Sequence, residues 1–259
     1  MEEVAYQQTR ALEESHWWFV GMREIYRKQL QSLELAPGAR ILDLGCGTGG
    51  NLGLLGSFAN TWALDASPTA ASFVKGRGWP RVAVASATDL PLRDASFDVV
   101  TAFGVIEHVQ RDERMLEEMH RVIRPGGHML FVTSAHQWLW SVHDDRVHHV
   151  RRYRIAELGE RVRRAGWRIE QLSYVNAALF PGVAAVRLLQ RLIPERATDA
   201  QRGMSGFGMP PGPINRALAA LLAWEGSLLT RTNLPMGVGL ICRAARDPND
   251  REPTRVSGS

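Results

Sequence analysis

The sequence predicts an α/β protein built on a doubly wound, largely parallel sheet. Three observations carry this prediction. Arg40-Ile41-Leu42-Asp43-Leu44 is a short apolar run that passes directly into Gly45-Cys46-Gly47-Thr48-Gly49-Gly50. A run of that kind reads as a buried parallel strand, and the glycines let the backbone turn sharply and admit a ligand close to the main chain. Strand-like and helix-like stretches then alternate through residues 40–134, as in a parallel sheet covered on both faces. Finally, Thr61-Trp62-Ala63-Leu64-Asp65 ends in an acid. Asp65 follows Gly47 at about the distance at which dinucleotide folds place a ribose-binding carboxylate.

Composition narrows the class. The 259 residues allow one large domain or a domain with a substantial insertion. The net charge is only +4, despite a pI near 9.5, so a nucleic-acid partner is not demanded. Cys46 and Cys242 cannot form a disulfide framework and read as reduced thiols of a cytoplasmic protein. The start, Met1-Glu2-Glu3-Val4, does not read as a signal peptide. No apolar run reaches the length that spans a bilayer.

In chain order, residues 1–33 read as an N-terminal helical cap. Within it, His16-Trp17-Trp18-Phe19 places three aromatics in a row. They cannot all face one core, so the stretch either docks a helix on the sheet or lids the ligand. A helix starting near Asn51 points its free amides at that ligand. Asp65-Ala66-Ser67-Pro68 also has the form of a helix start, which leaves Asp65 open as cap or ligand. Arg81–Ala85 is a third strand, Asp89–Asp94 a turn-rich link and Phe97–Gly104 a fourth strand. A helix over Arg111–Ile123 turns Met115, Leu116, Met119, Val122 and Ile123 inward. Pro125-Gly126-Gly127 is expected to stop it, and His128–Thr133 is a fifth strand.

Residues 136–154 hold half of the eight histidines. They follow the C-terminal end of a strand, the edge where open α/β sheets bind ligands. A helix over Ile155–Ala165 and a strand over Trp167–Tyr174 come next. Asn176–Ile193 reads as a helix broken near Pro181-Gly182, and residues 194–213 as a flexible loop. Ile214–Thr230 is an amphipathic helix with Ile214, Leu218, Leu221, Leu222, Leu228 and Leu229 on one stripe. Val238–Arg243 is the last strand, and 247–259 a disordered tail.

Several of these stretches together resemble the class I S-adenosyl-L-methionine (SAM) dependent methyltransferases of the small-molecule type. They are Leu42-Asp43-Leu44-Gly45-Cys46-Gly47-Thr48-Gly49, Asp65, Leu90-Pro91-Leu92, Phe97-Asp98-Val99-Val100, Ile106-Glu107-His108-Val109 and Arg121-Val122-Ile123-Arg124-Pro125-Gly126-Gly127. The flanking His16-Trp17-Trp18-Phe19, His143-Asp144 and His149-Val150-Arg151-Arg152-Tyr153 resemble a bacterial branch of that family with a helical insertion before the last strand.

The resemblance implies a seven-stranded, Rossmann-like sheet whose last strand is antiparallel. It implies a core over 34–175 and 236–246, with an insertion over 176–235 that is expected to act as a lid, mobile at 203–213. SAM would be the cofactor and S-adenosyl-L-homocysteine the product. The implied cofactor residues are Asp43, Gly45, Cys46, Gly47, Asp65, Ala66, Ser86, Ala87, Thr88, Phe103, His108 and Trp18, with Leu90 near the adenine. The family often carries an acid where this chain has Ser86-Ala87.

Acceptor contacts are expected from Trp17, Trp138, Arg152 and Tyr153. Arg151, Arg152 and Tyr153 either anchor their loop or bind an acceptor carboxylate or phosphate. His143, His149 and His108 are the candidate general bases, because imidazole titrates near neutral pH, and Asp144 or Asp145 would orient the base. The spacing of these histidines matches no recognisable zinc pattern, so no metal is expected. The expected partner is a small, hydrophobic or lipid-like molecule of secondary metabolism rather than nucleic acid or a membrane, acting on a monomer or homodimer. An RNA or protein methyltransferase, and a SAM-binding cyclase or regulator, are the alternatives.

Overall fold

The computed structural model describes residues 3–192 and 208–250. Its strands are β1 (Arg40–Leu44), β2 (Asn60–Asp65), β3 (Val82–Val84), β4 (Phe97–Phe103), β5 (Ile123–Ser134), β6 (Arg168–Val175) and β7 (Gly239–Ala245). They form one sheet in the order β3-β2-β1-β4-β5-β7-β6. β1 to β5 are parallel, and β7 runs antiparallel to both β5 and β6. The order reverses between β1 and β4, so the loops leaving those strands diverge and open a crevice at the C-terminal edge.

The helices are α1 (Glu3–Leu12), α2 (Trp17–Gln31), α3 (Leu52–Gly56), α4 (Pro68–Gly76), α5 (Asp112–Val122), α6 (Val142–Arg146), α7 (Ile155–Arg164), α8 (Phe180–Leu192) and α9 (Gly212–Leu229). Alternation along the strands decides what they cover. Ile41, Val99, Leu130 and Ile241 pack on one face, with Met22, Ile25 and Leu30 of α2 and Leu222 and Leu229 of α9. Leu42, Val100, Met129 and Leu240 pack on the other, with Met115, Leu116 and Met119 of α5 and Leu158 and Val162 of α7. Each fully buried aliphatic side chain contributes about 1.5–3 kcal/mol.

α2 and α9 approach closely. A Cβ on Gly21 would stand 2.6 Å from Leu222 Cβ, and one on Gly226 would stand 3.1 Å from Ile25 Cα. Asn215 of α9 accepts a hydrogen bond from Trp17 N at 2.8 Å and donates to Ser15 O at 2.9 Å. A helix late in the chain therefore holds the aromatic stretch at the start of α2.

Some boundaries depart from expectation. α5 ends at Val122, and Ile123 is already extended. Pro125-Gly126-Gly127 does not stop the helix but lies inside β5, where the pairing with β4 shifts register between Phe97 and Val99. Pro181 does not break α8 but is its second residue, a position where the missing N–H forfeits no helical bond. The buried seam of α9 is Leu222, Glu225, Gly226 and Leu229, while Ile214 is 52% exposed. Glu225 turns inward because its carboxylate accepts from Asn176 N and Ala178 N. Ile193, residues 194–207 of the expected loop and 251–259 of the expected tail lie outside the described residues. Asp250 still reaches back to the buried Arg246 at 3.1 Å.

Candidate active site

Two cavities meet at the C-terminal edge of the sheet. The first, of about 560 Å³, is walled by the loops after β1 (Gly45, Gly47), β2 (Asp65, Ala66), β3 (Ser86, Ala87, Thr88) and β4 (Val105, His108). The second, of about 470 Å³, lies between α2, α8, the ends of β4 and β5 and the 143–152 segment. Gly104 lines both.

The glycine turn shapes the first cavity. Gly45 N donates to Leu64 O at 2.7 Å. A Cβ on Gly45 would stand 2.5 Å from Val105 Cγ2, so only glycine fits there. Gly47 has φ +53° and nothing within 4 Å of where a Cβ would stand, so open space meets the backbone. Asp65 Oδ2 accepts from Gly47 N and Oδ1 from Ser67 N, each at 2.9 Å. Ser67, not Asp65, is the N-cap of α4, accepting from Ala70 N. Each Asp65 oxygen keeps a lone pair for a ribose hydroxyl. Bare backbone at Gly47, that carboxylate and the small side chains Ser86, Ala87 and Thr88 fit a nucleoside-bearing cofactor.

Not every expected cofactor residue reaches this cavity. Asp43 and Cys46 are buried and do not line it. Asp43 Oδ1 accepts from Thr101 Oγ1 at 2.8 Å, and burial pushes its carboxyl up to about 7. Leu90 is 4% exposed and belongs to the core rather than to the adenine side of the cavity. Phe103 and Trp18 line the second cavity instead, where Phe103 stacks on Tyr26 with ring centroids 3.7 Å apart. Tyr6 lines the first cavity from α1, and no motif marked it. Glu13, just after α1, accepts from Thr48 Oγ1 at 2.6 Å and pairs with Arg77, tying this helix to the glycine turn.

The second cavity is aromatic along α2 and ionic opposite. Trp17, Trp18, Phe19 and Phe103 form the first side. His143, His149, Arg152 and Glu107 face it. Asp144 is fully buried behind them. It accepts from His149 Nδ1 at 2.8 Å, from Arg152 Nε at 2.7 Å and Nη2 at 3.0 Å, and from Ser141 N at 2.9 Å. Burial alone would raise its pKa, but the bonds from His149 and Arg152 hold it well below the usual carboxylate range. Asp145 is turned away and accepts from Trp140 Nε1. With Nδ1 committed to Asp144, His149 has Nε2 as its remaining basic nitrogen.

His108 stands on the other side of the wall, lining the first cavity, with its ring centroid 4.6 Å from that of His149. Burial, reinforced by His149, pushes it down to about 4, so it is neutral and weakly basic near pH 7. Burial also lowers His143. Glu107, passed over in favour of its neighbour His108, accepts from Thr133 Oγ1 at 2.9 Å, and burial raises its pKa.

Two residues expected to contact the acceptor line neither cavity. Trp138 lines neither cavity and packs beside His136 and Phe180. Tyr153 is fully buried, and its hydroxyl donates to Asp112 Oδ2 at 2.7 Å. It anchors the loop, as does Arg151, which pairs with the same carboxylate at 2.8 Å. Arg152 lines the cavity while its guanidinium is spent on Asp144 and Ala135 O. Asn176 and Arg187, which carried no motif, also line this cavity. Among the described residues, no group of three or more His, Cys, Asp or Glu side chains could hold a metal ion.

Comparison with known proteins identifies the fold's lineage. A family model described as a methyltransferase domain matches residues 42–131. A probable S-adenosylmethionine-dependent methyltransferase of Mycolicibacterium smegmatis is 32% identical over 224 residues, covering 84% of this chain and 78% of the relative. A probable tRNA methyltransferase 9B of Bos taurus is 37% identical over 105 residues, covering 39% of this chain and 23% of the relative. Among solved structures, a chain from the complex between the Haloferax volcanii Trm112 methyltransferase activator and a methyltransferase superposes with a TM-score of 0.61 at 17% identity, covering 96% of both chains. That likeness shows the fold. The Mycolicibacterium relative, aligned over most of both chains, shows the family: this chain belongs to the class I S-adenosylmethionine-dependent methyltransferases, and SAM is its cofactor.

Proposed function

We propose that this methyltransferase acts on a small organic acceptor held in the second cavity, with His149 as general base. One observation carries the reading. The Asp144-oriented imidazole of His149 lines an aromatic cavity of about 470 Å³, which adjoins the cofactor cavity at Gly104. That volume lies within the range of small-molecule sites, about 300–1,000 Å³.

SAM, when bound, supplies a methyl group on a sulfonium that is already a good leaving group. What remains for the chain is to position the acceptor and to take a proton from it. The Trp17, Trp18 and Phe103 rings supply an apolar wall for the acceptor body. His149 Nε2 takes the proton as the nucleophile attacks, and the Asp144 carboxylate stabilises the imidazolium formed. Val183 and Arg187 of α8, with Leu179 just before it, form another wall, which supports a lid role for the 176–235 insertion. Residues 203–207 of its expected mobile part lie outside the described residues.

The tRNA-methyltransferase relative favours a second reading, an RNA acceptor, but its match covers 39% of the chain. Among the described residues no helix is long and apolar enough to cross a membrane. A cytoplasmic location is the accompanying proposal, supported by two buried, unpaired cysteines, together with a monomeric or homodimeric state.

The test is transfer of radiolabelled methyl from SAM to a library of phenols, amines and acids. His149→Ala should lower turnover about 10²- to 10⁴-fold with SAM affinity unchanged. Full turnover in that variant would place the base elsewhere.

A further inference from the structure

One cation that faces the second cavity carried no motif. Arg187 lines the second cavity from α8. Its Nη1 donates to Gln190 Oε1 at 2.8 Å, while its Nε is buried without a hydrogen-bond partner. Among the described residues no carboxylate lies within ion-pair distance of it.

Asp144, the nearest acid to act on it, is already engaged by Arg152, His149 and Ser141. Glu107 faces the same cavity but is bonded to Thr133 and Ser134, and burial favours its neutral form. Two guanidiniums, Arg152 and Arg187, thus line a cavity whose lining acid, Glu107, is engaged by Thr133 and Ser134, with the fully committed Asp144 behind it. Burial, and then Arg152, disfavour the charged form of Arg187. A half-buried guanidinium lacking a counter-ion is costly unless something else supplies the charge. Guanidinium pairs best with planar or tetrahedral oxyanions, through paired N–H donors.

We propose that the acceptor carries an anionic oxygen group, carboxylate or phosphate, that docks on Arg187, while its apolar body lies against Trp17 and Trp18. This rests on the reading of the second cavity as the acceptor site. It moves the anion contact from Arg152, whose guanidinium serves Asp144, to a residue on the insertion. Selection is then for amphipathic acids rather than for neutral lipids.

The test is calorimetry on the full chain loaded with S-adenosylhomocysteine. The probes are phenylacetate, phenyl phosphate and the neutral isostere phenylacetamide. At least one anion should bind saturably and about 10- to 100-fold more tightly than phenylacetamide, the span expected for a hydrogen bond to a charged group. Whichever anion binds more tightly identifies the group. Arg187→Gln should abolish the preference, Arg187→Lys should keep part of it, and S-adenosylhomocysteine affinity should not change in either.

The proposal is overturned if neither anion binds, if phenylacetamide binds equally well, or if the preference survives Arg187→Gln. It is also overturned if Arg187→Gln weakens S-adenosylhomocysteine, since the guanidinium then serves the cofactor's own carboxylate. Displacement of S-adenosylhomocysteine by the anions would remove the acceptor-site reading as well. Lost preference with both ligands bound together would remove only the anion.

Discussion

The two cavities differ in how they are built. The cofactor side is framed by the turns after four successive strands, β1 to β4, and its shape is set by backbone groups: Gly47 N and Ser67 N hold Asp65, and the main chain is bare at Gly47. The second cavity, proposed above as the acceptor side, is assembled from distant segments, 16–26, Asn51, 103–107, 132–134, 139–152, 176–187 and 238–239, and its character comes from side chains. Backbone geometry suits a ligand that never changes. Side chains on long connections can vary without disturbing the sheet. The two sides should therefore fail differently when perturbed.

The largest effect should come from the acceptor side and be one of stability. Asp144→Ala leaves Arg152, only 7% exposed at its side chain, buried without its carboxylate. Removing one partner of such a pair costs about 3–5 kcal/mol, which urea unfolding would measure. Asp144 has a depressed pKa, so its contribution is full above the ordinary carboxylate range and is lost as pH falls below about 4. Wild type and variant should converge in acid. Equal stability at pH 7 would show that the cluster is not a unit.

On the cofactor side, Asp65→Ala should act on binding instead. Its two oxygens hold Gly47 N and Ser67 N and would meet the ribose. Hydrogen bonds to a charged group are worth about 1.5–3 kcal/mol each, so SAM affinity should fall about 10- to 100-fold by calorimetry. Unchanged affinity rejects the ribose assignment.

Gly104 belongs to both sides and should couple them. It has φ +72°, and a Cβ there would meet only Glu107 Oε1, at 3.9 Å. Gly104→Ala adds backbone strain of about 1–2 kcal/mol and places a methyl group where the cavities join. Turnover should drop more than SAM affinity does. Equal losses in both would mean that the cavities communicate elsewhere.

The same contrast explains what the sequence disclosed. The sheet and glycine turn were legible because their determinants are local: an apolar run, glycines that a turn requires, and an acid at a fixed distance. Asp144 as the partner of His149 was within reach because the two lie only five residues apart. Tyr153 misled, since a tyrosine beside two arginines looks like a binding residue, yet Asp112 from another helix draws its hydroxyl inward. Tyr6, Asn176 and Arg187 were invisible, because their role depends on which helices close over the sheet edge. The α9 stripe was misplaced for a similar reason: Glu225 is buried to cap Asn176 and Ala178, a tertiary demand that overrides amphipathic spacing.

The smallest effect tests whether Asp43, buried and off the cavity wall, still serves the cofactor. Burial first, offset by the Thr101 bond and reinforced by Asp65, raises its carboxyl to about 7. A raised acid favours the protonated form in the folded protein, so stability without cofactor should decline as pH rises from about 4 towards 7. If the ionised carboxylate attracts the cofactor's ammonium, directly or through water, binding must expel that proton below pH 7. Affinity for S-adenosylhomocysteine should then rise about threefold between pH 6.5 and 7.5, under 1 kcal/mol, with a proton released in calorimetry. Asp43→Asn should flatten the dependence. A slope that persists in Asp43→Asn would assign the titration to another group and leave Asp43 as a support for Thr101 alone.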